Sequence, residues 1–405
     1  MVMIDRGTGA LLIGGAKVFP IVLSNGPPPA STAPSGRNGF AEVAAGGVNI
    51  IRTGSGNWSL EFADDQIANE RSVLDAAAAH GLHSWTWLGK VPNLPAQTGS
   101  PNEQLLVKTV NALKGHPALA AWKGVDEPAL GSVPVAGLGR AYQRLRALDP
   151  DHPLVIIEAP LGTVAALAPY STALDITGAD IYPVSYPPGL HAGGTNTDIS
   201  VVGDITRKMV QAARGKPVWT TLQVAWSGVL PPAHVPRFPT LLEERFMAYQ
   251  AIVNGARGLV FFGGHLTEIA PPADAAAGWN WTFWERVLRP LVSELSSPEL
   301  APALAAPNAK LALKASVPGV ELVSREAGNV LTIIAVRRGG SVSRVTFSGL
   351  PNQIAGGQVL FEDVQEPPPP PIQPGHQVFR PVDVSGGSFS DWFAPHDARV
   401  YRFEL

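Results

Sequence analysis

The sequence of 405 residues contains no cysteine, which excludes disulfide bonds, cysteine metal ligands and a cysteine nucleophile. Charged residues make up only 16% of the chain, below the usual fraction of about 25%. The net charge of −3 gives no indication of binding to nucleic acid or to an anionic membrane surface. No apolar run reaches the roughly 18 residues that predict a transmembrane helix. We therefore expect neither nucleic acids nor membranes as partners.

What is present is apolar and rich in turns. Hydrophobic residues amount to 45% of the chain, enough to bury a large core, and the 42 glycines and 39 prolines are spread along it as turn residues. The length suggests one large domain with a smaller one, or two to three ordinary ones. The first residues, MVMIDRGTGALLIGGAKVFP, lack a signal-peptide layout, so we expect a cytoplasmic protein or one secreted with its signal removed.

The amino-terminal three quarters of the chain alternate short apolar runs with helix-like segments. Strands that alternate with helices imply parallel pairing, and strands that are apolar on both faces imply burial under helices. Eight such units predict a (β/α)8 barrel over residues 1–307, with a doubly wound open sheet as the alternative. The eight runs are 17–24, 47–54, 82–89, 119–128, 153–160, 175–184, 217–226 and 257–264.

The pattern changes after about residue 307. From there the chain alternates polar and apolar residues with a period of two, breaks at glycine and proline, and ends on ARVYRFEL. This pattern predicts a small antiparallel β-sandwich over residues 308–405. EPPPPPIQP, at 366–374, is predicted to be a stiff extended loop rather than a ligand for a partner protein.

Polar and aromatic side chains collect where the predicted strands end. In a barrel these carboxyl ends gather on one rim, which is where the chemistry of such folds takes place. A barrel built only for stability has no need of that concentration, so we interpret these residues as a candidate site. They are Arg52 after the second strand, Trp85 and Trp87 on the third, Asp126 and Glu127 after the fourth, Glu158 after the fifth, Asp180 and Tyr182 after the sixth, Gln223 and Trp226 after the seventh, and His265 after the eighth.

The stretch LAAWKGVDEP, at 119–128, places two acids between an apolar run and a proline. Pro128 cannot continue a ladder, so it is predicted to close the fourth strand. A carboxyl group at this rim, walled by Trp122 and other aromatic residues, would be partly desolvated, which raises its pKa toward the range that a general acid needs. A plain surface turn is the alternative interpretation of Asp126-Glu127-Pro128.

Tryptophan is the second signal, because flat apolar rings with a polar N–H suit the faces of sugars. We predict that a sugar stacks on Trp85 or Trp87 and on Trp279 or Trp281 of GWNWTFW; packing in the core is the alternative. Other chemistries find little support. No phosphate loop or G-x-S-x-G motif is present, and His80 and His83 are not placed to share a metal, so we expect no metal and no cofactor.

These residues resemble the clan A (β/α)8 glycoside hydrolases, which often carry a C-terminal β-sandwich. The resemblance covers roughly residues 10–305 and rests on Arg52, on WKGVDEP where that family has Asn-Glu-Pro, on ADIYP at 179–183, and on EERFMAYQAIVNGARGLVFF at 243–262. It implies that Glu127 is the acid/base glutamate. The chain departs from the family twice: the nucleophile position after strand seven is Gln223, and the asparagine before the acid is Asp126.

A glycosidase needs two carboxyl groups, so the second must come from elsewhere. Asp180 is the first choice, as base or nucleophile; Glu158 and Asp126 follow, then Glu268 or Asp274. The resemblance implies a glycoside hydrolase acting on a poly- or oligosaccharide, with Glu127 as general acid. Arg52, Asp126, Tyr182 and Gln223 would hold sugar hydroxyl groups. The alternative is a non-catalytic carbohydrate-binding barrel, favoured by the missing glutamate at position 223.

Overall fold

The computed structural model describes residues 2–186, 196–224, 235–266, 270–362 and 380–405. Within these ranges, eight parallel strands close into a barrel in which each strand pairs with its neighbours in chain order, and the eighth lies between the first and the seventh. Each strand falls inside one of the predicted runs, so the predicted barrel is confirmed and the open sheet is excluded. The barrel strands are Ile21–Leu23, Ile50–Gly54, His83–Trp87, Leu119–Lys123, Leu154–Glu158, Ile176–Ile181, Val218–Gln223 and Gly258–Phe262.

Helices follow the strands and cover the barrel from outside. Their starts are set by local capping: the Ser100 side chain accepts the Glu103 N–H, and Thr240 forms a reciprocal capping box with Glu243. No helix in the described ranges is long and apolar enough to cross a membrane. The α-helices are Gly39–Ala45, Ala63–Ala79, Pro101–Leu113, Val135–Leu148, Val164–Leu167, Val201–Ala212, Leu241–Val253, Pro272–Ala277, Trp281–Phe283, Arg289–Leu295 and Ala301–Leu304, with a 3₁₀ turn at Ala168–Ala173 and a π-helical turn at Trp284–Leu288.

A small sheet at the amino end of the barrel was not predicted. Val2–Ile4, Leu11–Ile13 and Ala16–Val18 pair as an antiparallel sheet. Val2 and Leu11 pack into the same apolar cluster as the barrel interior. This sheet therefore covers the amino-terminal mouth and leaves the opposite, carboxyl-terminal mouth as the place where side chains from several strands can meet.

Strand alternation decides which side chains reach that mouth. Trp85, Ala121, Ile157, Ile176 and Trp219 belong to the apolar cluster inside the barrel. Ile50 belongs to the same cluster. Since alternate residues of a strand point to the same face, inward positions nearer the carboxyl end lie two or four residues further along each strand. They are Arg52, Trp87, Lys123, Asp180 and Gln223.

The carboxyl-terminal segment is a β-sandwich, as predicted. In its described part, one antiparallel sheet consists of Lys314–Ala315, Ser343–Ser348 and Ser388–Phe393, and the other of Val320–Ala327, Val330–Arg337, Ala398–Glu404, Gly356–Leu360 and Arg380–Asp383. Phe347 and Phe389 of the first sheet pack on Tyr401 of the second. The boundary at residues 307/308 stays a prediction, and the proline-rich stretch at 366–374 lies outside the described residues.

Charged groups join the sandwich to the barrel. Arg338 donates to both carboxylate oxygens of Asp204, on a barrel helix, at 2.7 Å each. Arg245 lies buried between Glu294 and the Ala398 carbonyl of the sandwich. These contacts fix the sandwich against the outer helices of the barrel.

Candidate active site

The fourth barrel strand ends earlier than predicted. It stops at Lys123, so Asp126, Glu127 and Pro128 lie in the loop that follows, and the prediction that Pro128 closes the strand is wrong. The loop still runs along the fifth strand, because the Glu127 N–H donates to the Ile157 carbonyl at 2.9 Å. Glu127 has a φ of 44°, in the left-handed region, a conformation that costs a residue with a side chain about 1–2 kcal/mol.

Lys123 occupies the inward position at the end of the fourth strand and was not among the predicted site residues. Its side chain is 3% exposed and forms an ion pair with Asp126. The ammonium group also lies 5.6 Å from the ring centre of Trp85 and 4.9 Å from that of Trp87, within cation–π range. Burial lowers the pKa of Lys123, while the charge of Asp126 opposes the shift. Lys123 could have been predicted as a site residue from the sequence, because it is a lysine at an inward position of an otherwise apolar strand.

Glu127 lies on this loop in a partly desolvated position. The residue is half-buried, and burial raises the pKa of its carboxyl group. The negative charge of Asp126 raises that pKa further, and the ammonium group of Lys123 acts in the opposite direction. The carboxyl group therefore keeps a proton to higher pH than an exposed glutamate, as a general acid requires.

Asp180 is the second carboxyl group, and it points inward from the sixth strand. Burial raises its pKa to about 7, and the charges of Asp126 and Glu127 contribute to the rise. A hydrogen bond from the Tyr182 hydroxyl acts in the opposite direction. Tyr182 is itself held by stacking on Phe262, with ring centres 5.6 Å apart. The structure thus brings Glu127, Asp180 and Tyr182 into one electrostatically coupled group.

Arg52 stands on the other side of the same mouth. Its guanidinium group donates to the Asn25 side chain and lies 4.9 Å from the ring centre of Trp87. Burial lowers the pKa of Arg52, and the charges of Asp126 and Asp180 partly restore it. His265 is exposed beside it, with Nε2 3.5 Å from the Asn25 side-chain nitrogen.

Glu158 does not face the barrel interior, contrary to the expectation that it contacts substrate. Val155 and Ile157 point inward, so the alternate residue Glu158 points out toward the helices. One of its oxygens accepts the Ala129 N–H at 3.0 Å, and burial raises its pKa to about 7. Glu158 therefore supports the loop that carries Glu127 from behind.

Gln223 ends the seventh strand as predicted, but its amide cannot hold a sugar hydroxyl group in this arrangement. The side chain is fully buried. It donates to the Val184 carbonyl at 2.9 Å and accepts the Val184 N–H at 2.8 Å. Both ends of the amide are therefore used to join the seventh strand to the loop after the sixth.

Three of the four tryptophans that were predicted to stack on a sugar are buried and are not exposed to a ligand. Trp85 is 1% exposed and packs edge-on against Trp219 inside the barrel. Trp279 and Trp281 are also 1% exposed and pack on each other, and Trp279 donates to the Asn25 carbonyl. Their rings build the core and the wall of the mouth. Trp87 alone of these four is half-buried.

Two of the predicted residues, Trp226 and Glu268, lie outside the described residues. Asp274, another candidate for the second carboxyl group, is buried, and its side chain accepts the Thr282 N–H at 2.8 Å. Across the described ranges, no group of three histidine, aspartate or glutamate residues is placed to hold a metal ion.

No protein-family model matches this chain, and no curated protein matches its sequence. Solved structures do match. One, named only as a glycoside hydrolase, has a TM-score of 0.62 at 14% identity, covering 100% of this chain and 96% of the other. A family 5 glycoside hydrolase from Bacteroides vulgatus has a TM-score of 0.60 at 13% identity, covering 100% and 93%. A family 30 endoxylanase from Clostridium papyrosolvens has a TM-score of 0.55 at 11% identity, covering all of both chains.

The fold is a (β/α)8 barrel with a β-sandwich, and it is similar to the folds of these three solved structures. The predicted resemblance is confirmed at the level of the fold, since the matches to all three structures cover 100% of this chain. Identities of 11–14% establish architecture. The activity has to be argued from the residues of the site itself.

Proposed function

We propose that the protein is a glycoside hydrolase that cleaves O-glycosidic bonds of a poly- or oligosaccharide. The observation that supports this most directly is the pair Glu127 and Asp180, two carboxyl groups at the carboxyl-terminal mouth of the barrel, both with raised pKa. Hydrolysis of a glycoside needs one carboxyl group to protonate the leaving oxygen and a second to act as base or nucleophile. The half-buried Trp87 and Tyr182 would contact the sugar from the walls.

In this proposal Glu127 is the general acid. Its loop places it at the edge of the mouth, where a leaving group can depart to solvent, and it keeps the position that the resemblance gives to the acid. Asp180 acts from the barrel interior on the reacting carbon or on a water molecule. Asp126 pairs with Lys123 and holds the loop.

One observation favours the reverse assignment. The pKa of Asp180 is raised to about 7, so around neutral pH Asp180 holds a proton that it could donate. Glu127 would then be the ionised partner. The two assignments predict different responses to the leaving group, because the acid matters less when the leaving group needs no proton.

The test measures hydrolysis of a panel of oligosaccharides and of nitrophenyl glycosides by wild-type protein, Glu127→Gln and Asp180→Asn. With Glu127 as acid, Glu127→Gln should lower turnover of oligosaccharides by at least about 100-fold and that of nitrophenyl glycosides much less. Asp180→Asn should impair both substrates alike. Glu404→Gln, which removes an exposed glutamate of the sandwich, is the matched control and should behave as wild type.

If Asp180→Asn, and not Glu127→Gln, impairs hydrolysis of oligosaccharides much more than that of nitrophenyl glycosides, Asp180 is the acid and the roles are reversed. If Glu127→Gln retains full activity on oligosaccharides, Glu127 is not the acid. A non-catalytic carbohydrate-binding barrel is the second candidate, and the neutral, fully engaged amide of Gln223 favours it. Measurable binding of an oligosaccharide with no hydrolysis of any member of the panel by wild-type protein would establish that alternative.

A further inference from the structure

A groove leads away from the barrel mouth beside Arg52. It encloses about 600 Å³ between the loop that follows the first strand and the helix Ala63–Ala79. Polar side chains of Ser55, Asn69 and His265 line it together with the apolar surfaces of Pro27 and Trp58. Its volume and its mixture of polar and apolar walls suit a sugar unit next to the one at the mouth.

Arg52 stands where this groove meets the mouth, and its charge is incompletely compensated. Among the described residues, no carboxylate lies within 4.0 Å of its guanidinium group, and its hydrogen bond goes to the neutral side chain of Asn25. The charges of Asp126 and Asp180 act on Arg52 only from beyond 4.0 Å, and Asp126 is paired with Lys123. A guanidinium group has five N–H donors in a fork that matches a carboxylate, so most of its hydrogen-bonding capacity is available to a ligand.

The acidic residues of the groove do not fill this role. Glu70 is buried and accepts hydrogen bonds from the Thr53 hydroxyl and the Gly54 N–H. Asp65 is exposed to solvent on the helix, where water screens its charge. At strand seven, the position from which the resemblance expects a glutamate is occupied by the neutral Gln223, whose amide is used by Val184.

We propose that the groove binds an acidic sugar, a uronic acid unit whose carboxylate pairs with Arg52 while its hydroxyl groups meet Asn69, Ser55 and His265. The substrate of the proposed hydrolase is therefore a polysaccharide that carries carboxylates. The claim that the acidic polysaccharide is a substrate rests on the proposed function. The preference for binding an acidic sugar does not, and it can be measured without any turnover.

The experiment compares binding of matched oligosaccharides by calorimetry, using Glu127→Gln protein to slow hydrolysis and checking by chromatography that the oligomers stay intact. The probes are oligomers of galacturonic, glucuronic and mannuronic acid, and the same oligomers with their carboxyl groups reduced to alcohols. A hydrogen-bonded pair with a charged partner predicts that at least one acid oligomer binds about 10- to 100-fold more tightly than its reduced counterpart. Adding Arg52→Gln should remove that preference.

Arg344→Gln in the same background is the matched control, because it removes an exposed arginine of the sandwich and should leave the preference intact. Equal binding of acid and reduced oligomers, no binding of any acid oligomer, or a preference that survives Arg52→Gln would each overturn the proposal. A sulfated neutral oligomer that binds as tightly as the acid oligomer, through Arg52, would overturn its carboxylate specificity. Failure of hydrolysis in the wild-type assay would count against the proposed function alone.

Discussion

The ion pair between Lys123 and Asp126 offers the sharpest test of the electrostatics of the mouth. Lys123 is 3% exposed, whereas the Asp126 side chain is 45% exposed. Removing one partner of a fully buried pair costs about 3–5 kcal/mol, because a charge is left unpaired in the interior. We discount that figure because Asp126 is half in solvent, and expect Asp126→Asn to lower the free energy of unfolding by about 2–3 kcal/mol.

The converse change should be milder. Lys123→Met leaves an aspartate that water can solvate, and a methionine sulfur packs well against the rings of Trp85 and Trp87. We expect Lys123→Met to cost about 1 kcal/mol, and the double variant to lie within about 1 kcal/mol of wild type, because no charge is then left buried. The second change should thus recover most of the stability that the first one loses.

The assay is urea denaturation followed by tryptophan fluorescence, for both single variants and the double variant. Asp64→Asn is the control, since it breaks an exposed pair with Lys108, 2.8 Å long, in which Asp64 is 87% exposed; it should cost less than about 0.5 kcal/mol. If Asp126→Asn costs no more than this control, or the double variant is less stable than Asp126→Asn, the buried charge of Lys123 is not what Asp126 compensates.

The pH dependence of the stability of Asp126→Asn is a second test of the buried charge of Lys123. Burial lowers the pKa of Lys123 in the folded protein, so above that pKa the unfolded chain binds more protons than the folded one and stability rises with pH. Without Asp126 the pKa of Lys123 falls further. The stability deficit of Asp126→Asn should therefore shrink as the pH is raised from 7 toward about 10.

Three further outcomes follow from the contacts of the site and of the docked sandwich. Gln223→Glu should not create a nucleophile and should cost about 1–3 kcal/mol in urea denaturation, because a carboxylate would face the Val184 carbonyl; a gain in hydrolysis would contradict this. Trp281→Ala should lower stability by about 3–5 kcal/mol through loss of core packing; a loss of oligosaccharide affinity with unchanged stability would reinstate the platform. Although burial opposes it, the hydrogen bond from Arg338 lowers the pKa of Asp204, so the stabilisation by this contact is fully present above about pH 4 and is lost as the pH falls through the lowered pKa of Asp204. Arg338→Gln should therefore cost more stability at pH 7 than at pH 3, and an equal cost at both pH values would contradict this.

The barrel could be predicted from the sequence because its strands are buried on both faces. Such strands appear as short continuous apolar runs, and eight of them separated by helix-like segments leave few alternative folds. The sandwich could be predicted for a related reason, because strands that are buried on one face alternate apolar and polar residues with a period of two. The small sheet at the amino end escaped prediction since its strands are only three residues long, too short for any period to show.

Side-chain orientation at the mouth was harder to predict, because partners far apart in the chain decide it. Trp279 looked like a sugar platform, but its indole N–H meets the Asn25 carbonyl, 254 residues away in sequence. Gln223 looked like a ligand, but its amide meets Val184, 39 residues earlier. Lys123 could have been predicted from alternation, because Ala121 is an inward residue of the same strand and the next inward residue is Lys123.

The two departures from the resemblance change the charges of the mouth in opposite ways. Aspartate in place of asparagine at position 126 adds a carboxylate, and Lys123 neutralises it within the same strand and loop. Glutamine at position 223 removes a carboxylate, and among the described residues no carboxylate lies within 4.0 Å of Arg52 in its place, so that the charges of Asp126 and Asp180 act on Arg52 only from a greater distance. The glutamine that replaces the expected nucleophile is the reason why we propose Asp180 as the second carboxyl group, and it leaves a guanidinium group that we propose an acidic sugar binds. The proposed catalytic role of Asp180 and the proposed recognition of a carboxylate by Arg52 are therefore both linked to one neutral residue, Gln223, and each can be tested while the other is left intact.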